Sequence, residues 1–270
     1  MEKDSLFEFS IKGLFGLHDY DIKVPRSRRV AFLTGPNGSG KTMILRALWG
    51  LSARWPGFMP PVFDTFHYQD SDTDLVVSKG INELSFNGET ESVWMNESVP
   101  ATAFNILFFD ARADKEVLEE ELMEFLENLD EDLSAPGNRT RAPLFRKFLS
   151  IYLPGKKFWD NEHFELEGTG KKISVFDLSY GEMLILLTWY HVLFTAKHGN
   201  LILLDTPETS MHPALQTRFR QDLVDCLDLV DGHALVATHS PLIFGSTRSE
   251  TIDLYELEHS KEKTNEDSGN

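Results

Sequence analysis

Eight residues, Gly35 to Thr42 (GPNGSGKT), constrain this chain more than any other stretch. They fit the pattern G-x-x-x-x-G-K-[S/T] at every fixed position. The run before them, Arg29 to Thr34, reads as a short buried strand, and the run after, Met43 to Ala53, has the apolar spacing of a helix. Gly35, Gly38 and Gly40 let the backbone turn tightly and aim its N–H groups inward. Those donors, with the positive end of a helix starting near Lys41, make an anion site suited to a polyphosphate. Gly35, Pro36, Asn37, Gly38, Ser39, Gly40, Lys41 and Thr42 would then wrap a bound nucleotide. Lys41 would reach its β- and γ-phosphates and Thr42 would ligate Mg²⁺.

What surrounds the loop narrows the class. A chain of 270 residues can bury a full core, as one domain with insertions or as two. It shows no apolar run near the ~20 residues a membrane-crossing helix needs, and its start, MEKDSLFEFS, lacks the charged-then-apolar layout of a secretion signal. Cys226 is the sole cysteine, which excludes an internal disulfide and a cysteine-based zinc site and suits a reducing cytoplasm. With 43 acidic and 26 basic residues, the net charge of −17 opposes non-specific adhesion to nucleic acid but leaves room for a local basic groove.

Leu6 to Ile11 and Tyr20 to Val24 read as strands around a loop, Gly13 to His18. Phe15 or Tyr20 could stack on an adenine there; packing of both rings in the core is the equal alternative. Trp55 to Pro61 is a cluster of helix breakers. Leu75–Val77, Ile81–Phe86 and Glu91–Met95 follow as strands, with a hairpin signal at Asn87-Gly88. Asn105 to Phe109 is apolar enough for a buried strand and runs into Asp110-Ala111-Arg112; a surface ion pair competes with a phosphate contact for Arg112. Leu118, Leu122, Leu126, Leu129 and Leu133 form one stripe of an acidic helix over Asp114 to Leu133, a stripe that packs on its own domain or, less simply, on a partner. After a linker at Ala135–Asn138, Arg139, Arg141, Arg146 and Lys147 surround Phe145 as the main basic patch. Ordinary solvated charge is the first explanation of it, and a nucleic-acid contact the second. His163–Leu166 and Ile173–Phe176 alternate like paired strands across Gly168-Thr169-Gly170.

The remaining motifs fall in an ordered series. Asp177 to Glu182 (DLSYGE) precedes an apolar helix, Met183 to Thr195. Leu201 to Asp205 (LILLD) is an apolar strand ending in a carboxylate, His212-Pro213 opens a helix, and Leu235 to Thr238 is a second apolar strand ending at His239. In this order the sequence resembles the ATP-binding-cassette type of ATPase head. GPNGSGKT resembles its Walker A motif, LSYGE its signature, LILLDTPE its Walker B motif and ATHS its switch-histidine loop. TSMHP, LFGLHDYDI and the strand–Ala–Arg pattern at Phe109 to Arg112 are similar to one branch, the OLD-family and related AAA-type ATPases of prokaryotic defence and DNA repair. The resemblance runs from about Leu6 to Tyr255, loosely over Asp64 to Leu153.

The resemblance implies an α/β fold: a P-loop NTPase of ABC-ATPase type, with a mixed central sheet flanked by helices, an antiparallel β lobe and a helical insertion. It implies one ATPase domain over residues 1–258, with a core lobe of about 1–60 and 196–258, a β lobe of about 61–110, a helical insertion of about 111–160 and a signature region of 161–195. A disordered tail, 259–270, would follow. ATP and Mg²⁺ are the implied cofactors. Asp205 becomes the Walker B acid that with Thr42 holds the metal, His239 the contact to the γ-phosphate, and Ser179 and Gly181 the cap on ATP bound to a second subunit of a homodimer or higher oligomer. One position departs from the family pattern. Thr206 stands where a glutamate orients the attacking water, and a threonine hydroxyl is no general base at neutral pH. Glu208, beyond Pro207, is the nearest replacement, so ATP binding with slow turnover is expected.

A transporter motor would show a glutamine-rich signature tail and a D-loop ending in leucine-aspartate, and neither is present. A full OLD nuclease would need a metal-binding domain for which the polar stretch after Tyr255 leaves no room. The expected function is therefore an ATPase subunit that controls a separate effector, a nuclease or toxin, in anti-phage defence; the alternative is a repair-type ATPase that clamps DNA directly. No membrane partner is expected.

Overall fold

A computed structural model describes residues 5–52, 63–70, 74–78, 83–86, 89–92, 106–110, 115–160, 162–195, 201–246 and 248–259. Arg112, Met95 and most of the 259–270 tail lie outside these residues.

Five strands form a parallel sheet: β3 (Val30–Thr34), β8 (Ile106–Asp110), β12 (Leu201–Asp205), β13 (His233–Ala237) and β14 (Thr251–Asp253), in the order β14-β3-β13-β12-β8. Every residue of β3 and β12 is buried. That is why these segments read as unbroken apolar runs, since a parallel sheet is covered on both faces. The two-residue period of each strand then deals its side chains to two cores. Val30, Phe32, Ile202, Leu204, Ala234 and Val236 face one; Ala31, Leu33, Leu201, Leu203, Leu235 and Ala237 face the other.

The first core is filled by helices α2 (Lys115–Ser134), α3 (Arg141–Tyr152), α4 (Tyr180–Tyr190) and α5 (Pro213–Val230). Leu118, Leu122 and Leu129 are buried and Leu126 and Leu133 pack alongside, so the leucine stripe serves its own domain. At its centre the ring of Trp189 meets Phe148, Tyr152 and Phe219 at centroid distances of 4.4, 5.0 and 5.5 Å. Each such pair adds about 0.5–1.5 kcal/mol beyond the area it buries.

The second core lies between the parallel sheet with helix α1 (Lys41–Ser52) and an antiparallel sheet. That sheet starts with β1 (Ser5–Leu14) and β2 (His18–Pro25) and continues through β4 (Thr65–Gln69), β5 (Asp74–Ser78), β6 (Glu83–Phe86) and β7 (Glu89–Ser92), in the order β2-β1-β4-β5-β6-β7. The first hairpin is thus part of the antiparallel sheet, and β8 part of the parallel one. Phe86 pairs with Glu89, so β6 and β7 are antiparallel neighbours, and the expected turn at Asn87-Gly88 lies outside the described residues.

A third sheet, β9 (Lys156–Asp160), β10 (His163–Leu166) and β11 (Lys172–Ser174), stands in front of α4. The expected strand over Ile173–Phe176 stops at Ser174. That side chain accepts from the Phe176 amide and caps a 3₁₀ turn over Val175–Asp177. The apolar helix expected over Met183 to Thr195 begins at Tyr180, behind the Ser179 cap, and widens into a π turn over His191–Thr195. Cys226 is a buried free thiol whose pKa burial raises. Among the described residues no helix is long and apolar enough to cross a membrane.

Candidate functional site

All five parallel strands end along one edge of their sheet. Register pairs Asp253 with Thr34, Leu33 with Ala237, Ala237 with Asp205, and Asp205 with Asp110. Ligands of parallel sheets bind at this carboxyl edge, because the loops that leave it can be built without disturbing the core. The phosphate loop leaves it from Thr34.

Gly40 is the tightest point of that loop. Its φ is +90°, and a Cβ there would come within 2.3 Å of Leu14 Cδ2. The tip of the β1–β2 hairpin therefore presses on the loop, and only glycine fits beneath it. The same Cβ would lie 3.6 Å from Phe15 Cε2. Phe15, itself at φ 56° and 44% exposed, stands beside the loop, while Tyr20 is buried in the core. Burial and the Glu258 carboxylate push the Tyr20 phenol up to about 12. Of the two candidate adenine platforms, then, only Phe15 is exposed.

Lys41 is buried at the first turn of α1. Its Nζ donates to the carbonyls of Gly35 (2.8 Å) and Pro36 (2.9 Å), and lies 3.5 Å from Ser39 Oγ. Burial lowers its pKa, against the attraction of Asp205, Glu208 and Asp253. The ammonium is thus held by the carbonyls of its own loop at the start of α1. Asp253 was not anticipated; a three-residue strand at the sheet edge gives little signal in a sequence.

Thr42 and Asp205 together offer hard oxygen donors of the kind Mg²⁺ takes. Among the described residues no group of three or more His, Cys, Asp or Glu could hold a metal. A magnesium ion bound mainly through phosphate oxygens needs only one or two protein ligands. The residues therefore fit Mg-ATP. They would hold it through the loop, Lys41, Thr42 and Asp205.

Beyond Asp205 the chain makes an unusual turn. Thr206 sits in the left-handed region (φ 51°, ψ 50°), with its amide donating to the Ala237 carbonyl at 2.8 Å. Its hydroxyl is buried with no hydrogen-bond partner among the described residues. A β-branched residue in this region is strained. The turn leads into a 3₁₀ segment, Pro207–Ser210, that carries Glu208. Both oxygens of Glu208 are engaged by the loop after β13: Oε1 accepts from the His239 amide (2.8 Å) and Oε2 from Thr238 Oγ1 (2.9 Å). The His239 residue itself is exposed.

Ser179 and Gly181 open α4. Ser179 caps the helix through a capping box with Glu182, its Oγ donating to Glu182 Oε2 at 2.9 Å. Burial tends to raise the Glu182 pKa, but Lys156 at 2.5 Å and the Ser179 donors outweigh it and hold the carboxyl low. A Cβ on Gly181 would touch Ser210 at 3.6 Å, so the start of α4 rests on the segment that follows Asp205. Exposed Phe176 and Tyr180 flank Ser179.

The basic patch is only partly a surface. Arg141 donates to the Leu193 carbonyl at 3.1 Å and is half-buried, and Phe145 is wholly inside. Arg139, Arg146 and Lys147 remain exposed.

The chain superposes on an SMC head bound to the C-winged-helix domain of ScpA with a TM-score of 0.57 at 13% identity, over 91% of this chain and 92% of that one. A second SMC head, with an extended coiled coil and bound to the C-terminal domain of ScpA derived from Pyrococcus furiosus, gives 0.55 at 11% identity over the same shares. The fold is thus that of the SMC heads. Protein ea59 of Escherichia phage lambda is 36% identical over 66 residues, which are 24% of this chain and 13% of that much longer protein. Residues 94–245 match the model of the family described as AAA domain, putative AbiEii toxin, type IV toxin–antitoxin system, and a match over more than half of its sequence makes this chain a member of that family.

Proposed function

We propose that the protein is an ATP-binding, slowly hydrolysing ATPase subunit that dimerises around Mg-ATP and controls a separate effector, a nuclease or toxin, in anti-phage defence. The observation that carries this reading is the buried Lys41 ammonium, held by the Gly35 and Pro36 carbonyls of a glycine loop at the carboxyl edge of the parallel sheet. In this reading Phe15 stacks on the adenine, the loop amides and Lys41 bind the phosphates, and Thr42 and Asp205 hold Mg²⁺. The metal supplies charge neutralisation at the phosphates when bound. His239 faces the γ-phosphate. Ser179 and Gly181 of one subunit cap the nucleotide of the other across a two-fold interface, in which each patch meets its own copy. Thr206 provides no base, which makes turnover slow and the ATP state long-lived.

The defence role is supported by the toxin–antitoxin description of the family and by motifs similar to the OLD branch. Isolation of the natural complex tests it: a nuclease or toxin should co-purify in an ATP-dependent manner, and a membrane permease in its place would refute the idea. A second reading, direct clamping of DNA, draws on exposed Arg139, Arg146 and Lys147. Salt-dependent DNA binding by the protein alone would favour it, since phosphate contacts weaken steeply with salt.

A further inference from the structure

Glu208 belongs to a closed circuit of hydrogen bonds. Its carboxylate accepts from Thr238 Oγ1 (2.9 Å) and from the His239 amide (2.8 Å). The Ser240 amide donates back to Thr238 Oγ1 (3.0 Å), and Ser240 Oγ donates to Gln216 Oε1 (2.6 Å). Gln216 Nε2 then donates to the Glu208 carbonyl (3.3 Å) and to the Met211 carbonyl (2.9 Å). Three segments distant in sequence are tied in one ring: the turn after Asp205, the start of α5, and the loop that carries His239. Gln216 and Thr238 are buried, so each lost partner would leave an unsatisfied polar group away from water.

The His239 amide needs an acceptor. Thr238 Oγ1 gives its proton to Glu208 and takes one from Ser240, so its orientation is fixed. A carboxylate committed to two charge-assisted bonds is poorly placed to take a proton from water as well. We infer that Glu208 and Thr238 are positioning residues, which fix the backbone at His239 so that its ring faces the nucleotide, and that Glu208 is not the general base. The inference rests on the ATPase reading and deepens it: the segment on which Gly181 rests through Ser210 would report the state of the signature helix to His239.

The two roles separate under a conservative change. Glu208→Gln keeps an oxygen for the His239 amide and, once the Thr238 hydroxyl proton turns away, an amide nitrogen that can donate to Thr238 Oγ1, but it cannot act as a base. Glu208→Ala removes both. The measurement is single-turnover phosphate release from Mg-ATP, with kcat and KM, in both variants and the parent chain. The expected result is a kcat within about threefold of the parent for Glu208→Gln, a loss of about tenfold or more for Glu208→Ala, and unchanged KM in both. Equal loss in the two variants would make Glu208 the base and overturn the inference, as would full activity of Glu208→Ala or a parent chain that binds Mg-ATP without releasing phosphate.

Amide hydrogen exchange at His239 gives a readout independent of turnover: protection should persist in Glu208→Gln and fall in Glu208→Ala. It judges the ring even when fluorescent ATP fails to bind, a result that would defeat the ATPase reading alone. Should Glu208→Ala not fold, Thr238→Val against Thr238→Ser poses the same question, with rescue by serine expected and inactivity of both overturning it.

Discussion

Gly40 and Leu14 cannot be separated by even one methyl group: a Cβ on Gly40 would overlap Leu14 Cδ2 at 2.3 Å. A residue of the first hairpin thereby shapes the loop that begins over twenty positions later. Gly40→Ala should cost about 2 kcal/mol or more, from the clash together with the strained φ of +90°. It should also lower the affinity for Mg-ATP. Thermal melts with and without nucleotide check both effects; an unchanged melting temperature would contradict the close approach.

Lys41→Ala should abolish ATP binding. The ammonium fills the Gly35 and Pro36 carbonyls, so the variant should also lose about 1–3 kcal/mol from the unpaired acceptors. Fluorescent-nucleotide titration of the refolded variant would expose an error, because retained affinity is incompatible with the loop's assigned role.

Thr206→Glu should raise ATP turnover by about a hundredfold, the lower end of what a positioned base contributes. Thr206 is buried, so the charged side chain should lower stability, an effect that removing a β-branched residue from the left-handed region offsets only in part. Steady-state phosphate release decides; an unaltered rate would indicate that another group already activates water.

Ser179→Arg should leave the monomer's affinity for ATP intact while preventing ATP-driven dimerisation, since Ser179 is exposed at the start of α4. Loss of the cap should cost about 1 kcal/mol. Sedimentation with and without Mg-ATP separates the outcomes. A variant that still dimerises would remove the signature helix from the interface.

Burial holds the His191 imidazole down at about 4, against an ordinary value of 6.5. Between these values the unfolded chain takes up a proton that the folded chain refuses. The full stability is therefore present above pH 6.5 and is lost as the pH falls toward 4, by up to roughly 3 kcal/mol. Glu121, 3.9 Å away, is shifted upward by burial and by Glu124, and titrates with the opposite sign. Denaturant midpoints of the parent and of His191→Gln at about pH 7 and about pH 5 isolate the histidine. Equal slopes in both chains would refute the assignment.

The parts of the fold legible in the sequence are those where burial leaves a simple pattern. Val30–Thr34 and Leu201–Asp205 are covered on both faces and read as apolar runs, and the glycine loop announces itself by spacing. Strand β4 escapes a sequence reading although Phe66 and Tyr68 alternate inward, because His67 and Gln69 alternating with them and the breaker cluster before it obscure a two-residue period only five residues long. Strand β9, KKFWD, carries charge at three of its five positions, and its only apolar residues, Phe158 and Trp159, are adjacent rather than alternating. At the site, Lys41, Asp205 and Glu208 were readable as motif members. The Glu208–Thr238 bond was not, since residues thirty positions apart meet only through the neighbouring placement of β12 and β13.

That strand order has a bearing on how the protein comes into being. The phosphate-loop strand β3 is flanked by β13 on one side and β14 on the other, both encoded far downstream. During synthesis the loop emerges early yet must wait, with its strand edges unpaired, until residues 233–253 have left the ribosome. A half-made polypeptide can therefore display the nucleotide motif without being able to use it.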